Sequence, residues 1–269
     1  MAHRDNRVVA RATNRAGVDP TIGEKAFVLF DLGETLVDLT DLVASLARFL
    51  GQRFPALRPT VGELAREWIV RAWQQMPRQE GQPFVPEFEI ASAVLTQVLS
   101  KNGVELTSTE AGGFLVTAWD DFEPRARFCA GVSESWLRDI KRLSAGLGIV
   151  TDGDEENVAR LVRRLRLRKY FDAVVTSQAT HAYKPSPLIY RAALRALDAA
   201  PERTIFVSDS PLDLQGANRL GIRPALLGRP LLQPQDRLPD DVIRLAVPQD
   251  LNLVLRRFPE SGQFEQPGF

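Results

Sequence analysis

Short apolar runs alternate with longer amphipathic stretches along most of the chain. The clearest runs span residues 26–30, 147–150, 173–176 and 204–207, and two weaker ones span residues 224–227 and 242–246. Continuous apolar runs of this length are typical of parallel strands that are buried on both faces. Because the intervening segments carry apolar residues at helical spacing, the pattern predicts an α/β fold with a doubly wound, Rossmann-like parallel sheet.

Capping residues indicate where the helices between these strands begin. Ser133 precedes one amphipathic segment, and Asp154 precedes the next and is expected to cap it. Ser186 followed by Pro187 is an N-cap with proline at the first helical position. Residues 211–220 predict a shorter helix, so each predicted strand of this part of the chain is followed by a helix.

One region departs from the alternation and predicts helices only. Candidate capping boxes begin at Thr60 and Thr107, and Pro86 opens a further amphipathic segment between them. This region contains no strong strand pattern. The sequence therefore predicts an α-helical cap domain that is inserted after the first strand and its turn.

The expected organisation is a core interrupted by this insertion. Residues 25–40 and 124–257 are predicted to form the α/β core, and residues 41–123 the helical cap. A site beneath such a cap must admit substrate and then exclude water, so we expect the cap to move. The turn after Asp38 and the segment 123–127 are the expected hinges.

Composition narrows the functional classes. The chain of 269 residues has a net charge of zero, so it lacks the excess of positive charge that is typical of proteins that bind nucleic acid or an anionic membrane. No apolar run approaches transmembrane length, and the single cysteine, Cys129, cannot form an internal disulfide. We therefore expect a cytoplasmic protein, monomeric or homodimeric, with a small-molecule substrate. The ends, residues 1–24 and 258–269, are expected to be flexible tails.

The candidate chemistry lies where predicted strands end. Asp31, Thr151 and Asp209 each come at the end of an apolar run, and Lys184 opens the helix after another. Ligands of open α/β sheets bind beyond the carboxyl ends of the strands, so these four residues are expected in one crevice. Each has an ordinary explanation alone, as a turn residue, a cap or a surface charge. Together, carboxylates and one lysine are the parts of a magnesium-assisted phosphate site.

Four ordered segments carry a resemblance to a known family. They are residues 27–36, 147–153, 184–187 and 206–213. The chain resembles the haloacid dehalogenase-like (HAD) hydrolase superfamily, in the subfamily with a helical cap. Any single motif of this kind is weak, whereas four in the correct order are specific.

The resemblance implies a nucleophile and a metal site. Asp31 would be the nucleophile and would form a covalent aspartyl intermediate. Its carboxylate would also bind Mg²⁺, together with the backbone carbonyl of Gly33 and the side chain of Asp209. Asp213 would support the metal, either directly or through water.

The resemblance also implies how a phosphoryl group would be held. The side chain of Thr151 and the amides of Asp152 and Gly153 would bind the phosphoryl oxygens. Lys184 would neutralise the nucleophile and the charge that develops on the transferring group.

The chain departs from the family pattern at Gly33. Family phosphatases carry a second aspartate there, which protonates the leaving alcohol and then activates water. General acid–base catalysis contributes about 10²–10⁴-fold, so its loss has consequences. The adjacent Glu34 is expected to point elsewhere. The leaving group would then be protonated by an acid from the cap, or the substrate would have a leaving group that needs no proton.

Three functions are compatible with these residues. The one favoured by motif completeness is a Mg²⁺-dependent phosphatase, acting on a small phosphorylated metabolite. The second is a 2-haloacid dehalogenase, in which Asp31 would displace a halide. Asp209 and the carboxylate of Asp152 argue against it, because such enzymes need no metal and offer an amide to the halide. The third is a catalytically weak relative that binds a phospho-ligand or a protein partner.

Overall fold

A computed structural model describes residues 25–79, 81–228 and 237–258. The predicted tails, apart from Phe258, lie outside the described residues. The strands are β1 (Phe27–Phe30), β2 (Val37–Asp38), β3 (Arg127–Phe128), β4 (Gly146–Thr151), β5 (Ala173–Thr176), β6 (Thr204–Ser208), β7 (Arg223–Leu227) and β8 (Ile243–Leu245). The helices are α1 (Thr40–Arg53), α2 (Val61–Gln75), α3 (Glu87–Ser100), α4 (Ser108–Phe122), α5 (Glu134–Leu143), α6 (Glu155–Arg164), α7 (Ser177–Thr180), α8 (Pro187–Leu197), α9 (Pro211–Asn218) and α10 (Asp250–Arg256).

Six strands form a parallel sheet in the order β5-β4-β1-β6-β7-β8. Successive side chains of β1 point to opposite faces, so Phe30 packs on the face covered by α5 and α6, and Leu29 on the face covered by α8 and α9. Phe30 contacts the edge of Trp136, with ring centroids 5.7 Å apart. Helices therefore cover both faces, and the predicted doubly wound fold is confirmed.

Four helices, α1 to α4, form the inserted cap. Helix α1 packs against α2 and α4, and α3 packs against the same two helices, so the apolar stripes of all four meet in one core. The Trp68 indole N–H donates to the carbonyl of Ala91 at 2.9 Å, which ties α2 to α3. The predicted helical insertion is therefore present.

A two-stranded ribbon that the sequence did not predict joins the cap to the core. Strand β2 pairs antiparallel with β3, so that Val37 lies opposite Phe128 and Asp38 opposite Arg127. The Arg127 guanidinium also binds the carboxylates of Asp38 and Asp41, at 2.9 and 2.7 Å. The chain thus leaves and re-enters the core at neighbouring positions, where the hinges were expected.

The helix caps only partly follow the sequence signals. Thr107 forms the predicted capping box with Glu110. Thr60 does not cap α2, because its hydroxyl donates instead to the carbonyl of Leu57 at 3.1 Å. Asp154 precedes α6 as predicted, but its side chain makes no capping bond to that helix. Its carboxylate is used elsewhere, at the junction with the cap.

No helix within the described ranges is long and apolar enough to cross a membrane.

Candidate active site

The three central strands of the sheet end in polar residues at one edge. Asp31 follows β1, Asp209 follows β6, and Thr151 is the last residue of β4. Because β4, β1 and β6 are parallel neighbours, their carboxyl ends place these residues along the same edge. The Asp31 amide donates to the Val207 carbonyl at 2.9 Å, which extends the ladder to the start of the turn.

Lys184 is buried between two carboxylates. Its Nζ lies 2.5 Å from Asp31 Oδ1 and 2.7 Å from Asp213 Oδ2, and the residue is only 2% exposed. Burial lowers the pKa of Lys184, but the carboxylates of Asp213 and Asp31 raise it by more, so the net shift is upward. The lysine is therefore a permanent cation that holds the candidate nucleophile.

The carboxylates around this lysine carry more negative charge than it neutralises. Burial raises the pKa of Asp31 to about 6, a shift that Lys184 opposes and Asp213 reinforces. Burial, followed by the charges of Asp31 and Asp213, raises the pKa of Asp209 to about 7. The buried Asp213 Oδ1 has no hydrogen-bond partner. The cluster therefore carries an excess of negative charge that a bound cation would neutralise.

This donor set suits Mg²⁺. The described residues contain no group of three or more His, Cys, Asp or Glu side chains that could hold a metal on their own. Mg²⁺ keeps several of its waters and is usually bound through only one or two carboxylates. Asp31 and Asp209 would supply two carboxylates of this kind, and a main-chain carbonyl and water would complete the coordination. The orphaned oxygen of Asp213 is placed to accept from such a water.

Thr35 positions Asp209, a role that the sequence did not reveal. Its hydroxyl accepts from the Asp209 amide at 3.2 Å and lies 3.4 Å from Asp209 Oδ1. Thr35 is almost fully buried, so its hydroxyl has few other partners available. The turn after Asp31 thus fixes a carboxylate that is 174 positions away in the chain.

The turn after Asp31 contains no side-chain acid aimed at the crevice. A Cβ added to Gly33 would lie 2.9 Å from Leu39 Cδ1, so an apolar methyl group borders the position where the family resemblance implies an aspartate. Glu34 has a left-handed φ of 56° and accepts from the Leu39 amide at 2.9 Å. Its side chain is therefore engaged within the turn, as expected from the sequence.

The loop after β4 is organised by its side chains. Asp152 Oδ1 accepts from the Lys184 amide and Oδ2 from Arg78 Nη1, both at 2.9 Å. The Gly153 amide donates to Ser177 Oγ at 3.0 Å, a different partner from the phosphoryl oxygen expected for it. Ser177 is fully buried at the start of α7, which explains why its hydroxyl takes this amide. Thr151 is buried beside them.

Arg78 reaches the site from the cap, a position that the sequence analysis did not predict. Its guanidinium binds Asp152 and donates to the carbonyl of Lys184, and it lies 4.7 Å from the ring centroid of Trp73. The side chain is 12% exposed, and its Nε has no partner. Arg78 therefore contacts the main chain of the residue that holds the nucleophile.

A second contact joins the cap to the core at the start of α3. The amides of Glu87 and Phe88 donate to the two carboxylate oxygens of Asp154, at 3.0 and 2.9 Å. Asp154 therefore caps a cap-domain helix rather than the helix that follows it. Nearby, the Tyr183 hydroxyl donates to the carbonyl of Val85 at 2.9 Å.

A parallel sheet that carries a buried aspartate–lysine pair at its carboxyl edge, closed by a helical insertion, defines a capped Rossmann-like hydrolase. A family model described as haloacid dehalogenase-like hydrolase matches residues 94–227. The chain belongs to the haloacid dehalogenase-like hydrolase superfamily and is a hydrolase.

Individual relatives and solved structures agree with this assignment. Phosphoglycolate phosphatase 1 of Pseudomonas aeruginosa is 27% identical over 230 residues, which cover 82% of this chain and 78% of that protein. The L-2-haloacid dehalogenase of Xanthobacter autotrophicus superposes with a TM-score of 0.68 at 19% identity, over 86% of this chain and 98% of that one. A magnesium-bound HAD hydrolase of Bacillus subtilis gives a TM-score of 0.67 at 17% identity, over 86% and 99%. The two structural likenesses establish the fold.

Proposed function

We propose that this chain is a Mg²⁺-dependent phosphatase that acts on a small phosphorylated metabolite through an aspartyl-phosphate intermediate. The observation that carries the proposal is the buried contact of Lys184 with Asp31 and Asp213, beside the carboxylate of Asp209. Two anions approach each other only where positive charge is supplied. The lysine supplies part of this charge, and the excess of carboxylates can bind a metal cation that supplies the rest.

Each residue of the cluster has a part in this reaction. Asp31 attacks phosphorus, and Lys184 holds its carboxylate and balances the charge that develops on the phosphoryl oxygens. Bound Mg²⁺, held by Asp31, Asp209 and the Gly33 carbonyl, would supply the remaining positive charge. Thr151 and the Asp152 amide bind phosphoryl oxygens, while Asp213 keeps Lys184 in place.

The relatives favour phosphoryl transfer over dehalogenation. The phosphoglycolate phosphatases align with most of the chain, and they suggest an alkyl phosphate that carries a second anionic group. Halide displacement has two residues against it. The carboxylate of Asp152 would repel the departing halide, and Asp209 would have no cation to bind. The Arg78 guanidinium, with its unpaired Nε, is a suitable partner for a substrate carboxylate.

The test is phosphate release from p-nitrophenyl phosphate and from a panel of phosphorylated metabolites that includes 2-phosphoglycolate. We expect release that requires Mg²⁺, stops with chelator and is lost in Asp31→Asn. The matched control is Asp198→Asn, because Asp198 is exposed and has a left-handed φ of 50°, which asparagine tolerates. Metal-independent halide release from 2-haloacids, without phosphate release, would instead identify a dehalogenase. Inactivity in both assays would favour the phospho-ligand or protein-binding alternative.

A further inference from the structure

An alkyl phosphate needs a proton donor, and the described core residues beside Asp31 leave no carboxyl group free for that role. The leaving alkoxide is a strong base, so its departure requires an acid within hydrogen-bond reach. The other carboxyl groups near Asp31 are already engaged, and Asp209 among them is assigned to the proposed Mg²⁺ site. Asp213 binds Lys184, Asp152 accepts from Lys184 and Arg78, and Glu34 accepts from the Leu39 amide.

The cap brings one further carboxyl group to the same loop. Glu87 is the first residue of α3, and its Oε2 lies 3.5 Å from where a Cβ on Gly153 would stand. The Glu87 amide donates to Asp154 Oδ1 at 3.0 Å, which holds the start of α3 against this loop. The absence of a side chain at Gly153 thus leaves space for Glu87 on the cap side of the crevice.

The loop beside Glu87 also contacts the lysine that binds Asp31. Glu87 lies against the loop that contains Asp152, and Asp152 accepts from the amide of Lys184. The side chain of that same lysine binds Asp31. Glu87 therefore approaches, from the cap, the loop to which the family resemblance assigns phosphoryl binding.

The surroundings of Glu87 keep it protonated. Burial, then the charges of Asp154 and Asp152, raise the pKa of Glu87 to about 8, and Arg78 opposes the shift only in part. The remaining titratable neighbour is Tyr183, whose own pKa is raised by burial and by Glu87. At neutral pH the group therefore carries a proton that it can donate.

We propose that Glu87 is the general acid–base of this enzyme and acts in place of the aspartate missing at Gly33. The inference rests on the proposed phosphatase function. As Asp31 forms a bond to phosphorus and the bond to the leaving oxygen breaks, the Glu87 carboxyl gives its proton to that oxygen and releases the alcohol. The Glu87 carboxylate then takes a proton from water, whose oxygen attacks the phosphoryl group. Phosphate, free Asp31 and protonated Glu87 are regenerated.

The test compares two leaving groups in Glu87→Gln. We expect kcat/KM for 2-phosphoglycolate, or for the alkyl phosphate that the wild type cleaves fastest, to fall about 10²–10⁴-fold. For p-nitrophenyl phosphate we expect less than about a tenfold fall, because the phenolate leaves without protonation and kcat/KM reports only the steps through its departure. Loss of the base slows the second half-reaction, so the variant should release a burst of p-nitrophenol that matches the enzyme concentration.

The pH profile gives an independent readout. For the alkyl phosphate, wild-type kcat/KM should decline above about pH 8, where Glu87 loses its proton, and this limb should be absent in Glu87→Gln. Glu89→Gln is the matched control, since Glu89 is an exposed residue in the first turn of the same helix. It should leave both substrates and the pH profile unchanged.

The outcomes separate this inference from the function on which it rests. Equal losses on both substrates in Glu87→Gln would assign Glu87 a structural role, and an unchanged rate on the alkyl phosphate would exclude it as the acid. Both results overturn the inference and leave the phosphatase intact, provided that Asp31→Asn is inactive. Failure of the wild type to release phosphate from either substrate overturns the proposed function and this inference with it.

Discussion

Lys184 determines both the chemistry and the stability of the site. Its ammonium group is the only cation in contact with Asp31 and Asp213 among the ion pairs of the described residues, and all three side chains are largely buried. Without the cation, two carboxylates would face each other away from water. The lysine that contacts the proposed nucleophile therefore also compensates the burial of its charge.

We predict that Lys184→Met lowers the free energy of unfolding by about 3–5 kcal/mol at pH 8, the usual effect of breaking a buried ion pair. The loss should be smaller at pH 5. Burial raises the pKa of Asp31 and Lys184 opposes the rise, so without the lysine this pKa is higher still. The folded variant therefore takes up a proton on Asp31 as pH falls, which removes the unpaired charge and restores part of the lost stability at pH 5. Urea denaturation at the two pH values measures the difference. Lys101→Met, at an exposed position, should change neither value, and equal losses at both pH values would contradict the explanation.

Individual site residues differ in how far the sequence could predict them. Asp31, Asp209 and Lys184 follow from the fold, because strand ends and the motifs around them can be located in the chain. Arg78 and Glu87 could not be found in this way. They lie on the cap, where helical spacing identifies the apolar stripe but does not reveal which polar residue faces another domain.

At the level of elements, the start of α3 is held by the core rather than by its own sequence. Pro86 occupies the N-cap position and offers no side-chain acceptor, so the first amides of the helix would lack partners. The carboxylate of Asp154 supplies them from the loop that precedes α6. One side chain thus joins a cap helix to the loop beneath the crevice.

We predict that Asp154→Ala loosens the first turn of α3 without unfolding the protein. Loss of a cap of this kind costs about 0.5–2 kcal/mol, and it should appear as faster hydrogen exchange at the amides of Glu87 and Phe88. Ser133→Ala is the control, because Ser133 accepts from the Trp136 amide at 3.2 Å and should affect only α5. Unchanged exchange at the start of α3 in Asp154→Ala would show that the contact contributes nothing to the helix.

Strands were easier to predict from the sequence than caps. Apolar runs coincide with all six strands of the main sheet. Burial on both faces leaves little choice of residue in β4 and β6, whereas the edge strand β8 contains the exposed Arg244. The short ribbon of β2 and β3 has only two residues per strand and no such pattern. The motifs at Thr60 and Thr107 look alike in sequence, but only Thr107 forms a capping box, because the Thr60 hydroxyl bonds to the preceding turn.

At the level of the whole molecule, the crevice is closed by contacts between charged groups. Arg78 and the start of α3 bind the core from the cap, while the carboxylates proposed to bind Mg²⁺ lie at the sheet edge. Substrate and cation are therefore expected to enter before these contacts form. The binding of either should stabilise the folded state, because the unfolded chain has no comparable site.

We predict that Mg²⁺ at about 100 times its Kd adds about 2.7 kcal/mol to folding and raises the Tm of chelator-treated protein by about 5–10 °C. The shift should be larger at pH 8 than at pH 5.5, because the pKa values of Asp31 and Asp209 are raised to about 6 and 7 and protons compete with the metal below them. Differential scanning calorimetry measures the shift. Asp209→Asn should largely abolish it, and an equal shift in that variant would place the metal elsewhere.

The ribbon between Asp38 and Arg127 has a consequence for how such proteins diversify. Because these two residues are opposite each other, the ends of the insertion are one strand spacing apart, about 4.7–4.9 Å. Ends so close can be joined by a two-residue hairpin, by these four helices or by an unrelated module, since closing a loop becomes only slowly more costly as it lengthens. The sheet and its proposed nucleophile can therefore be inherited unchanged while the inserted domain is exchanged, so that selectivity can evolve separately from reactivity.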